Sequence, residues 1–161
     1  QEAADAYRQV LAQEPNQFII MINLGAAESE LGRDLEAEAL SRQGLSRLEE
    51  IGNTTGLTPE DSMRKAHCLA RLGRLREAVE LAQAVLRKAP DDPALLQQSA
   101  LVHSLAGDRT SAINNAADAL DKGLHPRWFT GSAFRELRES PELSPRFPSP
   151  AEAAAAEEEA H

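Results

Sequence analysis

The chain is short of aromatic residues, 4% of 161 positions, so any core has to be packed from alanine and branched aliphatic side chains. It has one cysteine, Cys68, which excludes an internal disulfide and removes any need for an oxidising compartment; the cytoplasm is favoured over an exterior setting. Positive charge is also scarce: a formal net charge of −9 argues against nucleic acid as a partner and against anionic membrane, because affinity for phosphate-rich surfaces comes from Lys and Arg displacing counterions. No uninterrupted apolar run approaches the roughly 20 residues of a membrane span, so no direct membrane insertion is expected. No stretch alternates apolar and polar residues for long enough to argue a strand.

What is present is Ala, Leu, Glu, Gln and Arg, the strong helix formers, and the expected fold class is all-α. Small residues recur at fixed distances. The step from Ala3 to Ala37 recurs from Ala78 to Ala112, and the step from Ala37 to Ala78 is the same one lengthened by seven. Glycine keeps the register of alanine: Gly73 to Gly107 is the shorter step and Gly32 to Gly73 the longer. The shorter step is about 34 residues, room for two helices and the turn between them. "ARLGRLREAVELAQAVLRKAPDDP" reads as helix, glycine turn, helix and proline exit: Gly73 closes the first helix, Ala78 lets the second come close, and Pro90 ends it. Asp92 before Pro93 and Thr58 before Pro59 are helix starts, an amide-capping side chain followed by a proline whose missing N–H costs nothing.

These residues resemble the tetratricopeptide repeat (TPR) family over about residues 1–125. The small residue at the eighth place of each unit is Gly25, Ala66 and Ala100; the turn glycine is Gly32, Gly73 and Gly107; the close-approach alanine is Ala3, Ala37, Ala78 and Ala112; the exit proline is Pro15 and Pro90. The pattern departs where Lys65 and Ser99 replace leucine at the seventh place, and where Glu28, Leu69 and His103 replace an aromatic at the eleventh. The resemblance implies a right-handed helical-hairpin solenoid with a truncated first unit (1–15), full units at 18–50, 59–90 and 93–124, and a loop "IGNTTGL" at 51–57. The opening "QEAADAYRQVLAQEP" reads as the closing helix of a unit cut from a longer protein. Residues 126–143, carrying Trp128, Phe129, Phe134 and Leu137, are expected to cap the last hairpin, and 144–161 to form a mobile acidic tail. This ending is similar to those of repeat arrays in bacterial serine/threonine kinases and related signalling proteins.

Function follows from the same resemblance. Such arrays bind a peptide, helix or partner subunit in a concave groove, which here implies Ile19, Ile22, Ala26, Met63, His67, Arg71, Gln97 and Leu101 as lining residues. Apolar Ile19 and Ile22 in "FIIMINLGAAESELGR" suit either that groove or the core. The basic run "RKAHCLARLGRLR", with Asn23 on the preceding unit, offers Asn23, Arg64, Arg71 and Arg74 as contacts for an acidic ligand, against the plainer reading of a solvated face and a helix C-terminus. His67 and Cys68 are adjacent, pointing about 100° apart on a helix, and no Cys or His pair has zinc-like spacing. A protein-interaction scaffold without catalytic activity, metal or cofactor is therefore expected. The alternative is a structural or regulatory segment of a larger signalling protein that dimerises through the N-terminal unit.

Overall fold

The computed structural model describes residues 1–147 and is all-α, with eight α-helices and no strand among those residues. The helices are Glu2–Gln13 (α1), Phe18–Glu30 (α2), Asp34–Thr54 (α3), Pro59–Arg71 (α4), Leu75–Lys88 (α5), Pro93–Leu105 (α6), Arg109–Asp121 (α7) and the short Arg135–Arg138 (α8). Single 3-10 turns at Pro126–Trp128, Ser132–Phe134 and Ser144–Arg146 complete the C-terminal part. None of the helices is long and apolar enough to cross a membrane.

Local chemistry sets the boundaries. The Thr58 hydroxyl accepts the Asp61 N–H at 3.1 Å, and the Asp92 carboxylate accepts the N–H groups of Ala94 and Leu95 at 2.9 and 3.0 Å, with Pro59 and Pro93 opening the first turns. At the other end of α4, Gly73 takes φ +76°, its N–H reaching the Ala70 carbonyl at 3.1 Å while the Arg74 N–H reaches the Leu69 carbonyl at 2.9 Å. This pair of bonds satisfies carbonyls that the helix itself leaves open, and it needs a left-handed residue that only glycine supplies cheaply. The α2–α3 and α6–α7 turns repeat it through Gly32 and Gly107, with Arg33 and Asp108 donating to the carbonyls of Glu28 and His103.

Each turn folds a helix back on its predecessor, giving the pairs α2–α3, α4–α5 and α6–α7, while α1 lies on α2, α3 on α4, α5 on α6, and α4 on α6. Alanine and glycine make the crossings close. A Cβ built on Gly25 would meet the Ala37 carbonyl and the Leu40 Cβ at 3.3 Å, and one on Gly44 would sit 2.8 Å from Ile22 Cγ1. Ala37, Ala78 and Ala112 are all buried at these crossings. Ala3 is exposed and Ala4 is buried in its place, because in α1 only the face toward α2 has a packing partner. Glu28 is buried between Arg33, at 2.9 Å, and Arg8 of α1, tying the first helix to the array.

Two boundaries differ from the sequence reading. The insertion does not form a loop from residue 51: α3 continues for another turn to Thr54, and only then do Gly56, at φ +80°, and Leu57 tuck back, Leu57 against Gly52 and the core. Residues 144–147, expected to open a tail, are packed instead. Phe147 stacks edge-on to Phe129 at 5.8 Å and Arg146 pairs with Asp121 at 2.6 Å, so these residues belong to the C-terminal cluster; the rest of the expected tail lies outside the described residues. That cluster, Phe129, Phe134, Leu137 and Leu143, covers the flank of α6 and α7.

Candidate functional site

The inner faces of the pairs meet in one cavity of about 320 Å³. Three residues, one per pair, form its floor: Ala26 on α2, His67 on α4 and Leu101 on α6, at the same intervals that separate the turn glycines Gly32, Gly73 and Gly107. Asn23, Ala27 and Glu30 add the rest of the α2 face, Arg71 the next turn of α4, and Ala3 and Tyr7 the α1 rim. A larger depression of about 500 Å³ around Gln83, Arg87 and Asn114 lies between α5 and α7 on exposed side chains and gathers no comparable set of groups from successive pairs.

The C-terminal segment does more than cover the last pair. It crosses the inner face, and Thr130, Gly131, Ala133 and Phe134 form the far wall of the cavity. Three contacts hold it there. The Gln97 side-chain amide donates to the Trp128 carbonyl at 2.9 Å, the Ser104 hydroxyl donates to the Ala133 carbonyl, and the Glu30 carboxylate accepts both the backbone N–H and the hydroxyl of Ser132, at 2.9 and 2.8 Å. The last contact joins residues 102 positions apart. Gly131, at φ +88°, permits the bend, and a Cβ there would press on the Glu30 carboxylate at 3.2 Å.

Arg71 and His67 form the polar part of the α4 face of the cavity. The Arg71 Nε–H donates to His67 Nε2 at 2.9 Å, so this ring nitrogen carries a lone pair and the proton of the neutral ring sits on Nδ1. Burial pushes the His67 pKa down to about 3, and the Arg71 charge acts in the same direction. Burial also lowers the pKa of Arg71, opposed by the negative charge of Glu30. Cys68, on the adjacent helical position, faces the core beside Ile22, and burial raises its thiol to about 12.

Several residues assigned to the groove from sequence lie elsewhere. Ile22, at 5% exposure, and Met63, at 0%, are core residues, Ile22 filling the space Gly44 leaves open. Ile19 is 38% exposed but is not part of the cavity wall, and Gln97 is engaged with the C-terminal segment. Of the four groups considered for an acidic ligand, Arg64 is paired with Asp61 at 2.7 Å and Arg74 with Glu77 at 2.6 Å, away from the cavity, which leaves Asn23 and Arg71 together. Tyr7, Glu30 and the 130–134 wall were not anticipated. For Glu30 the signal was there, since the interval from Glu30 to Arg71 is the one that links Ala26 with His67.

Among the described residues no group of three or more His, Cys, Asp or Glu side chains is arranged to hold a metal ion. No family model and no curated protein matches the sequence.

Proposed function

We propose that this protein is an interaction module: a helical-hairpin array of the tetratricopeptide type whose inner face receives a peptide or helix of another protein, without a cofactor. The observation that carries this reading is the cavity floor of Ala26, His67 and Leu101, because a repeat that brings one residue per pair to a shared surface builds an extended recognition strip. Small Ala26 and Ala27 leave room for a visiting backbone, and Leu101 and Phe134 supply apolar contact. The entering chain lies between α1 and the 130–134 wall or displaces that wall.

Peptide-display selection against the whole chain, followed by titration of the selected peptides, tests this. Ala26→Glu and Leu101→Glu are expected to weaken binding at least about tenfold with helicity unchanged, as expected where a charge is forced into an apolar contact. Undiminished affinity in both variants would move the site off the inner face.

A second reading, a structural segment that dimerises through its N-terminal part, is favoured by the exposure of Val10 and Ile19, 38% each, near the start of the array. It requires a concentration-dependent dimer in sedimentation equilibrium that Ile19→Glu abolishes.

A further inference from the structure

Six arginines are half-buried among the described residues, and five give their hydrogens to an oxygen. Arg33 pairs with Glu28 at 2.9 Å, Arg47 with Glu50 at 2.7 Å, Arg64 with Asp61 at 2.7 Å and Arg146 with Asp121 at 2.6 Å, while Arg138 donates to the carbonyls of Phe129 and Gly131. Arg71 is the exception. Its Nε–H is committed to His67, and its two terminal NH₂ groups make no hydrogen bond or ion pair among the described residues; the side chain lines this cavity and also a neighbouring one that holds Asp34 and Glu38. Glu30, the carboxylate on the same cavity, is held by Ser132 through both of its oxygens and forms no ion pair with Arg71.

The terminal nitrogens of Arg71 are reached by solvent, since no buried side-chain nitrogen among the described residues lacks a partner, and the planar fork matches a carboxylate through two parallel hydrogen bonds. His67 fixes the plane of the fork, and its neutrality leaves the positive charge on Arg71 alone. The surroundings narrow the ligand. Glu30 and the net charge of −9 repel a dianion more strongly than a monoanion, which disfavours phosphate. The Asn23 amide and the Tyr7 and Thr130 hydroxyls add neutral hydrogen-bonding groups, and Leu101 and Phe134 offer apolar surface for a short methylene stem.

We infer that Arg71 is the anchor of a carboxylate-binding site, taking a glutamate or aspartate side chain of the polypeptide bound in the groove. The polypeptide source rests on the function proposed above; the carboxylate chemistry does not.

The test follows the side-chain Nε–H resonance of Arg71, and in every variant the backbone amides of Ala26, His67 and Leu101 around the cavity, in the ¹⁵N-labelled full chain during titration with glutarate, with inorganic phosphate, and with two blocked peptides, acetyl-Leu-Ala-Glu-Leu-Ala-amide and its Gln counterpart. A saturable shift with glutarate and with the Glu peptide is expected, each weakened roughly tenfold or more by Arg71→Gln, as the loss of a charge-assisted pair implies, and unchanged by Arg64→Gln or Arg74→Gln. The Gln peptide should bind roughly tenfold more weakly than the Glu peptide. Tighter binding of phosphate, equal shifts at exposed Arg76 and Arg87, or an undiminished response in Arg71→Gln would overturn the site. Glutarate binding with both peptides inert would support the carboxylate site and count against the groove as a polypeptide receptor.

Discussion

His67 accepts a hydrogen bond from a cation, and a ring nitrogen in that position cannot take up a proton without losing the bond. Its pKa, about 3 in the folded chain against about 6.5 for an unperturbed histidine, means that the unfolded chain binds the extra proton between those values. Stability is therefore fully present above pH 6.5 and declines as the pH falls toward 3, by at most about 1.4 kcal/mol per pH unit from this group. Urea unfolding at pH 7 and pH 5 should show the loss in the natural sequence and a smaller one in His67→Gln. Cys68 yields a second expectation: a buried thiol raised to about 12 is not a nucleophile, so alkylation should proceed at the rate of unfolding and become fast in denaturant. At Gly44 an added methyl would collide with Ile22 at 2.8 Å, and Gly44→Ala should cost about 1–3 kcal/mol in a thermal melt through overpacking. Met63 was misassigned to the groove, and Ile22 left open between groove and core, for a related reason. Helical spacing tells which side chains share a stripe, but the rotation of that stripe toward partner helix or groove is fixed by how deeply Gly44 lets α2 sink onto α3.

Helix ends were the most legible part of the sequence, because each carries its own chemistry. Thr58 and Asp92 cap free amides, and Gly32, Gly73 and Gly107 adopt the left-handed turn that closes a hairpin. Gly73→Ala forces a Cβ into φ +76° and is expected to lower stability by about 1–2 kcal/mol; Asp92→Ala, which removes two capping bonds, should cost about 1 kcal/mol, both read from chemical denaturation. The extra turn of α3 was not legible. "IGNTTGL" holds residues of low helix propensity, yet Ile51 and Gly52 stay helical because Leu57 packs back over Gly52, and tertiary contact overrides local preference. Trp128, Phe129, Phe134 and Leu137 announced a cap; that Phe147 extends it came from its contact with Phe129, a partner too far along the chain for any local pattern to encode.

At the scale of the molecule, a spacing shared in sequence becomes convergence in space: Ala26, His67 and Leu101, spaced as Gly32, Gly73 and Gly107 are, reach a single cavity. The path of the C-terminal segment across that cavity could not be read in advance, since it depends on single side chains meeting distant backbone, Gln97 with Trp128, Ser104 with Ala133 and Glu30 with Ser132. Trp128 is the sole tryptophan and is 56% exposed, so it reports on this segment directly. Glu30→Ala is expected to shift its emission and to speed hydrogen exchange at 130–134, with the α6 and α7 amides unchanged; an unaltered spectrum and exchange pattern would mean that the aromatic cluster holds the segment unaided. The Ser132 clasp also makes the two extremities of the array mechanically dependent. Pulling on α2 strains the residues that seal α6 and α7, so a tag, a truncation or a bound protein at the front of the array should be felt at its rear without passing through the intervening pairs.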